Sequence, residues 1–248
     1  MIGKLVLAAL IAGMLAGAVL AGIQHVKLSP LILAAEVYEK AADAAAETKT
    51  ENTTALPVAK CVENMPGMTM CNGDQKEWEP ADGIERTLYT TGASMLAGAG
   101  FALLLAGISL LIGVPITPAN GLIWGLCGFF AFTIAPGAGL PPQVPGMPIA
   151  DLLARQIWWV GTVAATGLGL YFIVLKREPK WIVLAIILIA APHIIGAPQP
   201  PNLETNVPAG LAADFASNTV AAAAVFWCAI GAFLGFAFKR YSNEVYAT

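Results

Sequence analysis

Charge is scarce in this chain. Only 12% of its 248 residues are Asp, Glu, Lys or Arg, where a soluble domain carries about a quarter. The shortage is uneven. Long stretches hold no charge at all, while most of the acidic residues fall between Gln24 and Arg86. No basic run occurs outside the ends of apolar segments, and a net charge of −3 offers a nucleic acid no electrostatic footprint. The sequence also lacks a phosphate-binding Gly-rich loop before a helix, a His-Glu-x-x-His pair and a nucleophile elbow. It offers no acid–base pair of its own, so the expectation is a protein that is not an enzyme. Any energy for transport would come from a gradient or a separate subunit.

Apolar residues are abundant, at 57% with a mean hydropathy of +0.71. They fall in six runs, at about 2–23, 88–113, 119–135, 152–175, 181–196 and 211–238. Crossing the hydrocarbon core takes roughly 20 mainly apolar residues. The sequence therefore predicts an all-α polytopic membrane protein of six transmembrane helices arranged as three hairpins. Residues 24–87 form one long extracytoplasmic loop in this reading. The third and fifth runs are slightly short, and each ends in Ala-Pro, at Ala135-Pro136 and Ala191-Pro192. Proline removes a backbone donor and disturbs a helix, which is tolerated at membrane depth only under cover of protein or beside a water-filled cavity.

Orientation follows the short loops. Lys4, the Lys176, Arg177 and Lys180 turn, and the Lys239-Arg240 pair all fall on one side of six spans. Both termini are then cytoplasmic. The first run is long for a signal peptide, so it reads as an uncleaved helix.

The later runs look duplicated. Ala135-Pro-Gly-Ala-Gly-Leu-Pro-Pro resembles Ala191-Pro-His-Ile-Ile-Gly-Ala-Pro, and each is followed by a proline (Pro148, Pro208), a helix and a Lys-Arg pair. Runs three and four and runs five and six thus read as two hairpins of one orientation. Repeats of this kind place transporter substrates near the repeat interface. Small residues fill the helices, and Gly231-x-x-x-Gly235 is a possible close-packing face.

Ionisable groups at membrane depth are functional candidates, and only two histidines occur, His25 and His193, both at the outer ends of odd-numbered runs. With Glu36 and Glu39 they form the candidate metal set, since imidazole suits cobalt, nickel, zinc and copper and carboxylates attract a dication. Each histidine alone reads as well as an interfacial or capping side chain. Gln24, Glu85, Arg86, Gln143, Asp151, Arg155, Asp214 and Asn218 share that outer level, and Arg155 could pair with Asp214. In the long loop Cys61 and Cys71 bracket Met65, Met68 and Met70. Outside the cytoplasm a Cys61–Cys71 disulfide is the preferred reading. The alternative is a soft-metal site of these five residues, which would select Cu(I). Cys127 and Cys228 lie inside apolar runs and read as small hydrophobes.

The Ala/Gly-rich first run followed by Ser29-Pro-Leu-Ile-Leu-Ala-Ala-Glu-Val-Tyr-Glu39, together with Ala-Pro-His-Ile-Ile-Gly-Ala-Pro at 191–198, resembles the CbtA family of probable cobalt transporter subunits. The likeness covers essentially the whole chain. It implies about five membrane spans, one fewer than the apolar runs. It also implies cobalt uptake feeding cobalamin synthesis in a bacterial inner membrane, and a small CbtB-type partner with one span and a histidine-rich end. The resemblance gives no ligand set, and the Met-rich insert falls outside it. Cobalt is thus the expected cargo and copper the alternative, with no resident cofactor. The rival role is an accessory subunit that scaffolds a larger membrane complex without transport of its own.

Overall fold

In the computed structural model, which describes residues 2–51, 61–63, 69–71 and 80–239, the first apolar run does not stop at Ile23. Helix α1 (Ile2–Ile23) passes through one widened π-turn (Gln24–Leu28) straight into α2 (Ser29–Glu51). The apolar part of this rod, Gly3–Ala42, has 40 residues. At 1.5 Å per residue that is about 60 Å, roughly twice the hydrocarbon core. The charged α2 end therefore projects beyond the lipid, and the first half of the expected outer loop is helix. Pro30 lies in the first turn of α2, directly after the π-turn, which accommodates a residue without an N–H. The turns after it are built from helix formers (Leu-Ala-Ala-Glu, Glu-Lys-Ala-Ala), so nothing local ends the helix there. Beyond it, β1 (Cys61–Glu63) and β2 (Thr69–Cys71) pair antiparallel, with Cys61 opposite Cys71.

The other predicted helices are present with shifted ends. Helix α3 spans Ile84–Ile112, four residues earlier than the apolar run, and stops at Gly113, whose left-handed φ of 69° closes the helix. Helix α4 (Gly121–Phe129) runs through a second π-turn (Phe130–Ile134) into the short α5 (Ala135–Gly137). Helix α6 (Leu152–Tyr171) ends in a third π-turn (Phe172–Lys176), followed by α7 (Pro179–Ile195) and α8 (Ala209–Phe238). Four segments are long and apolar enough to cross a membrane, namely Gly3–Ala42, Ile84–Ile112, Leu152–Lys176 and Ala209–Phe238; Gly121–Gly137 and Pro179–Ile195 are shorter.

Both helices end within three residues of their Ala-Pro pairs, α5 at Gly137 and α7 at Ile195, close to the ends predicted from the sequence. Pro136 sits in the first turn of α5, directly after the π-turn. A widened turn has spare hydrogen-bonding geometry, so a residue without an N–H is accommodated there. Pro192 lies inside α7, which continues through His193 to Ile195 and ends at Gly196.

The core is a bundle of α1, α3, α4 and α8. Helix α1 contributes Leu5, Ala9, Ala12 and Ala16, α3 contributes Ala102, Leu105 and Ala106, and α8 contributes Phe226, Trp227, Ile230 and Leu234. Between lipid-solvated helices there is little hydrophobic drive, so close approach of small residues supplies the cohesion. Two crossings show it. A Cβ on Gly13 or Gly17 would lie 2.3 Å from the carbonyl oxygen of Gly98 or Ser94. A Cβ on Gly231 would lie 2.1 Å from the Gly121 carbonyl oxygen, and one on Gly235 2.7 Å from that of Thr117. The expected Gly231/Gly235 face is thus a real interface, with α4 as its partner. Gly92, Gly100, Gly107, Gly161 and Gly167 face open space instead.

Helix α7 packs chiefly on α6, while α8 packs on α4 and α1. The last two helices therefore do not form the packed hairpin that the repeat suggested. Each instead takes its main partner from the preceding pair, so α4 meets α8 and α6 meets α7.

Candidate functional site

The polar residues expected at the outer level lie toward one end of the bundle but are not together. Gln24 and Glu39 are 15 residues apart on one continuous helix, about 22 Å along its axis, and Glu39 lies where α2 meets two Pro-rich loops (138–151 and 196–208). Ala35 of α2, fully buried, packs against Val144 and Val207, with Met147, Leu211 and Phe215 around them. Thr205 donates its hydroxyl to the Gly146 carbonyl at 3.0 Å and so ties one loop to the other. Glu39 lies beside Gly146, where a Cβ would come within 3.4 Å of the Glu39 backbone; Gly146 has φ of 78°. The helical extension that carries Glu36 and Glu39 is therefore held over the loops by packing as well as by its own hydrogen bonds.

Glu36 has a fixed partner. Its Oε1 accepts from Arg86 Nη2 at 2.5 Å, and Arg86 Nη1 reaches Asp82 at 3.1 Å. The Glu36 pair joins α2 to α3 across 50 positions of sequence, and both side chains are under a third exposed. His25 is exposed on the π-turn and lines a small groove of about 130 Å³ with Asp82, Arg86 and Thr87. A guanidinium in that groove repels a dication, so His25 and Glu36 do not by themselves make a chelate. Among the described residues no three His, Cys, Asp or Glu side chains gather in metal-binding geometry.

His193 lies elsewhere. It is exposed and meets the Trp158 ring edge-on, with centroids 5.9 Å apart. The Trp158 indole donates to the Pro192 carbonyl at 3.1 Å, and the Gly196 amide donates to the same oxygen at 3.0 Å. Trp158 also touches the other Ala-Pro segment: a Cβ on Gly139 would lie 2.5 Å from its ring and 2.8 Å from the Ala197 Cβ. The two similar segments, 135–142 and 191–198, thus converge on one tryptophan, which the sequence did not single out. Its spacing was legible, since Trp158, Thr162 and Thr166 recur every fourth residue of α6. Thr162 and Thr166 are fully buried, and the Thr162 hydroxyl donates to the Trp158 carbonyl at 2.8 Å. Trp158→Phe, which removes the indole donor and part of the ring that meets Gly139, is expected to cost at least about 1 kcal/mol. Thermal unfolding in detergent reads this, and an unchanged midpoint would mean that the Pro192 carbonyl does not need the bond.

The remaining polar residues of that level serve local structure. Gln24 accepts from Ser94, linking α1 to α3 at 2.7 Å. Asp151 caps α6 through the Ala154 amide. Gln143 donates to the Pro148 carbonyl, Glu85 accepts from the Ala81 amide, and Asn218 donates to the Asp214 carbonyl. The expected Arg155–Asp214 ion pair is not formed, since the ion pairs among the described residues are Arg86–Glu36, Arg86–Asp82 and Lys180–Glu178. Met65 and Met68 lie outside the described residues. So do the side chains of Met70, Cys61 and Cys71, so only the backbone pairing of the two cysteines is defined. Cys127 and Cys228, both half-buried, are free thiols.

Comparison with curated proteins and with solved structures finds no match. A family model described as "Probable cobalt transporter subunit (CbtA)" matches residues 2–239, nearly the whole chain. An apolar helical bundle with its polar groups toward one end agrees with that description, and the chain belongs to the CbtA family.

Proposed function

We propose that this chain is the permease component of a cobalt uptake system that feeds cobalamin synthesis, and that it has no catalytic activity of its own. The observation that carries the reading is the convergence of the two Ala-Pro segments on Trp158, beside His193. Irregular backbone at membrane depth is stable only where protein covers it or a cavity adjoins it. Discontinuous helices at a repeat interface are where transporters hold their cargo. Divalent cobalt is the substrate, and imidazole is a suitable ligand for it. His193 is the ligand nearest the bundle. His25 and Glu39 act at the rim as capture groups, and Glu36 joins them only when Arg86 releases it. Further ligands come from a small single-span partner of CbtB type. The protein sits in a bacterial inner membrane with six crossings and both termini cytoplasmic, as the Lys/Arg loops favour.

Cells carrying the chain with its small partner are expected to take up radioactive cobalt above empty cells. His193→Ala is expected to lower that uptake roughly tenfold or more, the scale seen when even an outer partner of a metal ligand is lost, with unchanged membrane levels of the protein. Uptake equal to empty cells, with and without the partner, would overturn the permease reading. The accessory-subunit reading would then stand. It is favoured by one observation, the lack of a three-residue metal cluster among the described residues. Cobalt binding to the purified chain separates copper handling as well: metal lost only on replacing Cys61 and Met68 would assign the Cys/Met loop as the site.

A further inference from the structure

A groove of about 910 Å³ opens on the flank of the bundle, between the α4–α5 segment, the loop after it, α6 and α8. Its polarity changes with depth. Arg155 and Gln156 line it one turn into α6, and Trp159 and Val160 line it one turn further down, about 6 Å deeper along the helix. Phe132 and Val220 complete the apolar part. Phe132 is itself packed on Trp159 and stacked on Trp227, with centroids 5.9 and 5.3 Å apart, so this wall is rigid. Pro141, Pro142 and Pro145 stiffen the loop on the opposite side.

Arg155 is half-buried in this groove, and its guanidinium forms no ion pair or hydrogen bond among the described residues. Asp151, which caps the start of α6, is exposed and accepts from the Ala154 amide. Gln143, which also lines the groove, donates to the Pro148 carbonyl. A guanidinium among apolar side chains at the edge of a membrane span calls for an anion. Its planar fork matches phosphate oxygens two at a time. The apolar floor below it runs in the direction of an acyl chain.

We propose that this groove is a binding site for an anionic phospholipid, with the phosphate on Arg155 beside Gln156 and an acyl chain along Phe132, Trp159, Val160 and Val220. The groove shares the 135–142 segment with the His193 region but is not lined by His193 or Trp158, and the proposal does not depend on the transport reading.

The test uses the full chain in mild detergent and in nanodiscs, with native mass spectrometry and thermal unfolding as readouts. The probes are phosphatidylglycerol, phosphatidylcholine and inorganic phosphate. The wild type is expected to retain one phosphatidylglycerol under conditions that strip phosphatidylcholine. Arg155→Gln is expected to lower retention about tenfold, Arg155→Lys to restore part of it, and Val160→Trp to displace the acyl chain while helical content is unchanged. Equal retention of the two lipids, or undiminished retention by Arg155→Gln, would overturn the proposal. Stabilisation by inorganic phosphate equal to that by phosphatidylglycerol would identify a free-anion site instead. Loss of a dimer on Val160→Trp with no lipid adduct in the wild type would assign the groove to a second copy of the chain.

Discussion

Replacing Gly231 by leucine is expected to prevent stable assembly of the bundle. A Cβ at Gly231 would sit 2.1 Å from the Gly121 carbonyl oxygen and 2.8 Å from the Gly125 amide nitrogen. Both obstacles are backbone, so no rotamer change relieves the clash. Helix α4 must move away from α8, and the neighbouring contacts go with it. Those include Gly125 against the Trp227 carbonyl and Gly128 against the Trp227 ring. Overpacking alone costs about 1–3 kcal/mol, and a leucine adds the separation of two helices whose cohesion depends on close approach. Gly231→Ala is expected to fall in the range of about 1–3 kcal/mol, and Gly231→Leu to exceed it. Gly107→Ala is the control. Nothing lies within 4 Å of a Cβ there, and alanine favours a helix interior by up to about 1 kcal/mol over glycine. Unfolding in mixed micelles measures all three. Equal midpoints for the three variants would show that the α4–α8 crossing is looser than described.

The second large effect is expected at Arg86. Its pair with Glu36 is the tie between α2 and α3 that does not rest on apolar packing, at 31% and 19% side-chain exposure. Its second contact, to Asp82, is on an aspartate 75% exposed and four residues away. Exposed pairs of that kind contribute little. Removing Arg86 leaves the Glu36 carboxylate half-enclosed and unpaired, a larger loss than removing both groups. Arg86→Gln is therefore expected to cost about 2 kcal/mol, and Glu36→Gln less. The double variant is expected to be milder than the sum of the two, with a coupling of about 1–2 kcal/mol. If Arg86→Gln matches Asp82→Asn in stability, the α2–α3 tie is no more than a surface pair.

The helices were legible because lipid as solvent demands long apolar runs, and all six runs are helical. Their ends were less legible. The hydropathy of the first run falls after Ile23, but α1 continues into α2 because His25-Val-Lys-Leu and the Ala-rich residues after it keep helical geometry in water as well as in lipid. Polarity marks the membrane boundary, and helix ends obey different rules. Pro136 and Pro192 marked the ends of their helices to within three residues, though neither is the last helical residue. Proline signals a lost donor, but the final residue depends on the π-turn before Pro136 and on Gly196 after Pro192.

The candidate residues were read by type and position along the chain, and their partners were not legible. What Glu36 bonds to depends on Arg86, 50 residues away, while the pair suggested from the sequence, Arg155 with Asp214, is not formed. The glycine faces show the same limit. Gly231 and Gly235 were recognisable by spacing, while Gly92, Gly100 and Gly107 looked equivalent and face open space.

By itself, then, the sequence determined a charge-poor helical membrane chain, its family likeness and the end of the bundle toward which its polar groups lie, because burial in lipid constrains every residue of a span in the same direction. Only the tertiary structure decided which helices touch, that Arg86 holds Glu36, that Arg155 stands alone in a groove and that two distant Ala-Pro segments meet on Trp158. Those outcomes depend on backbone approach and on the distance between groups far apart in the chain, and hydropathy encodes neither.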